Sequence, residues 1–305
     1  MSAVVWAQAV TTTPPDQIRE DGLEYTHLWH GVDGTTWDLN AWECGVYLQS
    51  GVVGLGHTAV DRWVDTAPML PGNLFRGTRA LARNVQWPIV ITTTTCNGSW
   101  RDLARRWWKS WDTDTSGTWE VIDSSGRSVF LDLRLNPSGD YSLDIDPGLH
   151  PWVPWMVDAI ADFPYWRGDP IPESWGGPGD PEPFFDTATG MWPFHIMLAN
   201  QFATASLTNP GDVPAAVKFT AEGPLDAFSI QVGAGQYAGP AVADGDSIVM
   251  DSVQAVLNGT EQVTGLFTEF DPRPLPPGQD VPVTITTSGT GRILAEFTPL
   301  YRMAF

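Results

Sequence analysis

Residues 191–305 are broken by Gly, Pro, Asn or Asp roughly every 8 to 14 positions, and nothing constrains the fold of this chain more tightly. Between the breaks lie short alternating runs such as ATASLTN, AAVKFTA, FSIQVGA, DSIVMDS, VTGLFTEF, DVPVTITT and RILAEFTPLYR. Segments this short cannot be amphipathic helices, and the rhythm is that of a β-sandwich. The same punctuation runs through the first half, where most of the 30 glycines and 26 prolines that are not in the second half fall between strand-like runs. The chain is therefore expected to be mainly β, and at 305 residues to divide into two domains.

In the first half, residues 23–49 alternate as two or three strands around a turn at Val32-Asp33-Gly34, and NVQWPIVITTTTC at 84–96 is a β-branched strand. Ser99 then caps a helix, WRDLARRWWKSW. Its apolar residues Trp100, Leu103, Ala104, Trp107, Trp108 and Trp111 fall on one face, and Arg101, Arg105, Arg106 and Lys109 line the other. That basic face is either solvated or matched to an acidic neighbour. TWEVID and SVFLDLRL read as a hairpin turned at Ser124-Ser125-Gly126-Arg127, followed by YSLDID and by a strand in WVPWMVDAIADF. RGDPIPESWGGPGDPEPF at 167–184 carries too many prolines and glycines for a ladder and reads as a linker. The expected division is 1–166, a linker at 167–189, and a sandwich at 190–305.

With 36 acidic against 16 basic side chains the net charge is -20, which argues against wrapping nucleic acid, since such affinity comes from Lys and Arg displacing counterions. GVVGLG at 51–56 resembles a phosphate loop only superficially: no helix follows to present amides to an anion, so it reads as a turn. No cofactor is expected. The start, MSAVVWAQAV, has a cleavage-like Ala7-Gln8-Ala9 but no basic leader, so synthesis in the cytosol is expected, with Cys44 and Cys96 reduced and Asn97-Gly98 and Asn258-Gly259 serving as turns.

The sharpest chemical signal is DTDTSGTWEVID at 112–123. Asp112, Asp114, Ser116 and Asp123 fall at calcium-ligating positions of an EF-hand loop, although Asp replaces the usual final Glu and no exiting helix follows. The competing reading is a polar turn in which Gly117 supplies a positive φ. Asp244, Asp246 and Asp251 offer a second acidic turn. His27 and His30 lie three apart in a strand and face opposite ways, while His57, His150 and His195 are scattered. No nucleophile elbow or zinc pattern is present, and no two carboxylates stand out as a glycosidase pair, so no catalytic residue is assigned.

The organisation resembles the distal tail proteins of long-tailed phages, in particular the minor tail proteins of actinobacterial phages. The resemblance is carried by GVDGTTWDL, by GVYLQSGVVGLGHTAVDRWVDTAPMLPGNLFRGTRALARNVQWPIVI, by the amphipathic helix, by ADFPYWRG, and by LPPGQDVPVTITTSGTGRILAEFTPLY near residue 305. It implies a tail-tube-like N-terminal β domain followed by a galectin-like or jelly-roll sandwich, and a structural, non-enzymatic role in the virion tail tip after assembly in the host cytoplasm. The implied partners are five further copies in a six-fold ring, the tail tube protein, the tip hub and the tape measure protein, with DNA passing through the lumen. The open edge for the ring is expected within residues 23–49, and an acidic lumen at Glu24, Asp33, Asp38 and Glu43. Two rival classes stay open: a carbohydrate-binding module stacking sugars on Trp152, Trp155, Trp166 or Trp175, and a glycoside hydrolase.

Overall fold

The computed structural model describes residues 25–40, 45–66, 69, 71–93, 99–137, 150–176 and 200–305. In chain order the first part comprises β1 (Tyr25–His30), β2 (Thr36–Asp38), β3 (Gly45–Leu48), β4 (Val60–Asp65), β5 (Leu74–Ala80), β6 (Arg83–Thr92), α1 (Trp100–Lys109), β7 (Gly117–Asp123), β8 (Ser128–Leu135), β9 (Trp152–Ala161) and β10 (Trp166–Arg167). Its main sheet runs β2-β1-β7-β8-β9-β6-β3, with every pair antiparallel. The two edges approach each other where Leu48 N donates to Leu39 O at 2.8 Å, so the sheet curls into a nearly closed barrel. This consumes the open edge expected in residues 23–49: β1 is an interior strand, and the short edges β2 and β3 turn toward one another.

The barrel interior is filled by tryptophan. Alternation along β7 buries Trp119 and Val121, and along β8 Val129, Leu131 and Leu133. Trp29, Trp87, Trp107, Trp119 and Trp166 are fully buried. Trp29 stacks on Trp111 at 3.9 Å, and Trp87 and Trp166 each meet Trp119 edge-on at 4.9 Å. The helix forms as its sequence dictates: Ser99 Oγ accepts from Arg101 N at 3.2 Å, and Leu103, Ala104 and Trp107 turn into the core. At its other end Ser110 Oγ donates to Trp107 O at 2.6 Å and accepts from Trp29 Nε1 at 3.0 Å, which pins the helix to β1.

The second part comprises β11 (Ile171–Gly176), β12 (Asn200–Thr208), β13 (Val217–Glu222), β14 (Phe228–Val232), β15 (Gly235–Gly239), β16 (Ser247–Met250), β17 (Ala255–Leu257), β18 (Glu261–Gln262), β19 (Glu269–Asp271), β20 (Asp280–Ser288), β21 (Arg292–Phe297) and β22 (Leu300–Tyr301). Two antiparallel sheets, β11-β21-β13-β16-β17-β18 and β12-β20-β14-β15-β19, share a core of Phe219, Ile230, Met250, Leu275 and Val283 among others. The expected sandwich is present. Asn258 (φ 48°) and Gly259 (φ 73°) form the turn between β17 and β18, as read from the sequence.

Two features depart from the expected division. Residues 171–176 are not linker: β11 pairs with β21 from Ile171↔Phe297 to Gly176↔Arg292. Pro172 is tolerated there because β11 is an edge strand, where a missing amide need not break a ladder. And the chain returns to the barrel after the sandwich: β22 pairs with β10 at Trp166↔Tyr301, and Ala304 lies in the barrel core, its amide bonded to Leu55 O at 2.9 Å. YSLDID, Cys44, Cys96, Asn97 and Gly98 lie outside the described residues.

Candidate functional site

The glycine-rich stretch 51–56 is a turn with an anchor beneath it. Gly51 and Gly54 hold φ of 100° and 122°, and a Cβ on Gly54 would sit 2.7 Å from Val85 Cγ2, so no other residue fits there. The buried guanidinium of Arg83, at the start of β6, donates to Gly54 O at 2.6 Å, to Gly56 O, to Pro164 O at 2.8 Å and to Arg302 O at 2.8 Å. Burial pulls its pKa down to about 10, so it remains a cation at neutral pH. One side chain thus ties the turn, the β9–β10 connection and the returning C-terminal segment together.

From this anchored turn springs the hairpin β4–β5, a two-stranded sheet of its own. At its base Leu81 N donates to Ala59 O at 2.9 Å and Thr58 Oγ1 to Leu81 O at 3.0 Å. Asp65 pairs with Arg76 at 2.6 Å and Asp61 with Arg79 at 3.8 Å, all four side chains being more than half exposed. The apolar side chains are equally uncovered: Trp63 is 56% exposed, Phe75 60%, and Val60, Val64 and Leu74 are also exposed. The sequence reading leaves residues 57–72 without an element. The only signals were the alternation of Val60, Arg62 and Val64 and the Pro71-Gly72 turn, in which Gly72 has φ 81°.

A second surface lies between α1 and β9. Trp100, Ala104, Trp108 and Trp155 floor an open cleft of about 540 Å³, and Arg101, Arg105, Arg106 and Lys109 surround it. Trp108 and Trp155 meet at 5.1 Å between ring centroids, tilted by 58°.

The residues singled out as ligands do not converge. Asp112 caps its own turn, its Oδ1 accepting from Asp114 N at 3.1 Å, and Arg134 reaches Thr113 O at 3.2 Å. Asp123 lies at the far end of the extended strand β7, bonded to Ser125 N and Arg127 N. Six strand residues, 117–122, separate it from Asp112, Asp114 and Ser116 by about 20 Å at ~3.3 Å per residue, so the loop is not an EF-hand. Nor does Gly117 adopt a positive φ: it opens β7, and glycine is required because a Cβ would lie 2.5 Å from the Trp29 ring and 2.6 Å from His30 O. Asp246 accepts from Asn258 Nδ2, and Asp251 from Val253 N and Gln254 N, while Asp244 is exposed. Among the described residues no three His, Cys, Asp or Glu side chains form a metal cluster.

His27 is half-buried against the Trp119 ring with its pKa lowered by burial, whereas His30 Nε2 lies 2.7 Å from Glu120 Oε2. His57 and His150 are exposed, and His195 lies outside the described residues. Of the proposed sugar platforms, Trp166 is fully buried and Trp155 is half-buried beside Trp108. Trp152 is half-buried, and the side chain of Trp175 lies outside the described set. The tryptophans therefore serve the core first, and no flat aromatic row faces solvent among those described.

A barrel-like sheet with one packed helix, continued by a two-sheet sandwich, is the fold of a phage distal tail protein. The crystal structure of SPP1 Dit (gp 19.1) shares it with a TM-score of 0.59 at 11% identity, over 90% of this chain and 98% of that one. In sequence, the chain is 28% identical over 142 residues to Minor tail protein Gp27 of Mycobacterium phage L5, a match covering 46% of this chain and 42% of that protein. The alignment thus spans less than half of this relative's length. No family model matches the chain. Sequence and fold agree on the resemblance to distal and minor tail proteins, and that resemblance puts the chain in the tail of a virion. SPP1 Dit is described as a paradigm of the hub adsorption apparatus in phages that infect Gram-positive hosts. No helix among the described residues is long and apolar enough to cross a membrane.

Proposed function

We propose that six copies of this chain close into a ring at the distal end of a phage tail, between the tail tube and the tip hub, and that the ring is a structural passage for DNA with no catalytic role. The observation that carries this reading is the hairpin β4–β5. A two-stranded sheet is at best marginally stable in water, and this one holds Trp63, Phe75 and Leu74 in solvent. Such an apolar, uncovered arm marks a protein interface. With the barrel edges turned on each other, the hairpin is the free element through which one copy reaches the next, and a head-to-tail contact repeated about an axis closes a ring.

The tail tube protein, the hub and the tape measure protein are the proposed neighbours above, below and within. The lumen is proposed to be acidic, lined in part by Asp33 and Asp38, which are exposed; Glu24 and Glu43, the other two candidates, lie outside the described residues. A basic wall would retain the phosphate backbone. The test is light scattering and electron microscopy of the purified protein beside Trp63→Asp and Phe75→Asp. Wild type should form rings, and the variants should stay monomeric with unchanged circular dichroism. A wild type that remains monomeric at high concentration, with no such ring at the virion tail tip, overturns the proposal. So do variants that still form rings.

A further inference from the structure

We propose that residues 298–304 are a strap through which the seating of the sandwich on the barrel sets the order of the β4–β5 arm. The strap is gripped from both sides by hydrogen bonds to its backbone, and it ends beneath the turn from which the arm springs. On the sandwich side the grip is a stiff loop. Asn209 is fully buried; its Oδ1 accepts from Gly211 N at 2.9 Å, and its Nδ2 donates to Val213 O at 2.9 Å and to Leu275 O at 3.1 Å. The loop so fixed donates Asp212 N and Val213 N to Leu300 O, at 2.8 and 3.2 Å, and Asp212 Oδ2 accepts from Arg302 N at 3.1 Å. Gly211 passes so close that a Cβ would stand 2.6 Å from Leu300 O.

On the barrel side Leu300 and Tyr301 pair with Arg167 and Trp166, and Gly168 N donates to Pro299 O at 2.9 Å. The two grips meet at Arg302, whose amide goes to Asp212 of the sandwich and whose carbonyl goes to the buried Arg83 of the barrel. The same guanidinium holds Gly54 O and Gly56 O. The base of the arm starts at Thr58, two residues beyond Gly56, and closes at Leu81, two residues before Arg83. A guanidinium is a rigid plane of donors, so it cannot follow one moving carbonyl without leaving the others. A shift of Arg302 therefore either breaks its bond to Arg83 or turns that side chain away from the turn. The arm has little else to order it, since its strands are exposed almost throughout. On the reading of the arm as the contact between copies, the strap gives that contact a control from the sandwich.

The experiment is hydrogen exchange on the full-length protein, at a dilution where it is monomeric, comparing Gly211→Ala and Asp212→Ala with wild type. Both substitutions lie in the sandwich, yet the barrel amides of Ala304 and Leu81 should exchange at least ~5-fold faster, the size of about one lost hydrogen bond. Amides of the β7–β8 and β13–β16 ladders should keep their protection. Asp212→Asn keeps an acceptor oxygen and should stay within ~2-fold of wild type. Asp246→Ala, which removes a bond to Asn258 elsewhere on the sandwich, should leave both barrel amides unchanged. A Leu81 amide unaffected in both loop variants refutes the strap. So does a rise spread evenly over β7–β8, an Asp212→Asn variant as fast as Asp212→Ala, or an equal response to Asp246→Ala. Because the monomer is measured, the outcome is independent of whether copies form a ring.

Discussion

Replacing Arg83 by Met should loosen the first domain more than any other single surface-distant change that keeps side-chain volume. The guanidinium is 2% exposed and is the hydrogen-bond donor to the carbonyls of Gly54, Gly56, Pro164 and Arg302. Methionine keeps the stem and removes every donor. Each buried carbonyl left without its partner costs about 1–3 kcal/mol. Gly54 and Gly56 lie on a turn that can open to water, so the lasting losses are those at Pro164 and Arg302, or ~2–6 kcal/mol in all. Relief of the desolvation that lowers the Arg83 pKa offsets part of this, and the expected net loss is about 3–4 kcal/mol. For a chain of this size that is a fall of roughly 6–12 °C in the unfolding midpoint followed by tryptophan fluorescence. Hydrogen exchange gives the location: the amide of Ala304, bonded to Leu55 O, should exchange faster in Arg83→Met, while amides of the β7–β8 ladder keep their relative protection. A variant within about 1 kcal/mol of wild type, or one whose exchange rises uniformly, refutes the reasoning.

Trp107→Ala should destabilise the protein by about 3–5 kcal/mol because the indole is fully buried, whereas Arg105→Ala, with its exposed side chain, should cost little in the isolated subunit; equal shifts in thermal unfolding would reverse the assigned helix orientation. Tyr237→Phe should change alkaline behaviour. Burial pushes the folded phenol up to about 12 from 10, so its contribution to stability is full below pH 10 and is lost as pH rises toward 12. Melting curves across that window should fall less steeply for the variant, and parallel curves would exclude the effect.

The parts of the fold legible in the sequence are those whose cause is local. The helix announces itself through Ser99 and the 3.6-residue recurrence of Leu103, Ala104 and Trp107, and the β7–β8 hairpin through strict alternation about Gly126, whose φ is 86°. β15 was missed because GQYAG, with a glycine at each end, reads as a turn; Gly239 is in fact fixed by the Phe228 ring, 2.3 Å from where a Cβ would stand. Of the two readings of residues 112–123 the polar turn stands, because an Asx turn followed by a strand satisfies the EF-hand spacing without bringing Asp123 near Asp112. The hairpin β4–β5 escaped for another reason. With both faces exposed it buries nothing, and burial is what writes an apolar alternation into a strand. The cleft between α1 and β9 was half visible, since the basic face of α1 could be read from spacing, but Trp155 reaches it from β9, far along the chain.

The pairing of Trp166 with Tyr301 and the burial of Ala304 impose an order in time. During synthesis the strands that make up the barrel leave the ribosome before any of the sandwich does, yet the segment that lies alongside β10 and plugs the core beside Leu55 follows the last sandwich strand. Until it arrives, Arg83 lacks the acceptor on Arg302 and Trp166 has an unpaired neighbour position. The barrel is begun first and finished last, so a nascent subunit reaches its final form only once its second half is already folded enough to deliver that segment.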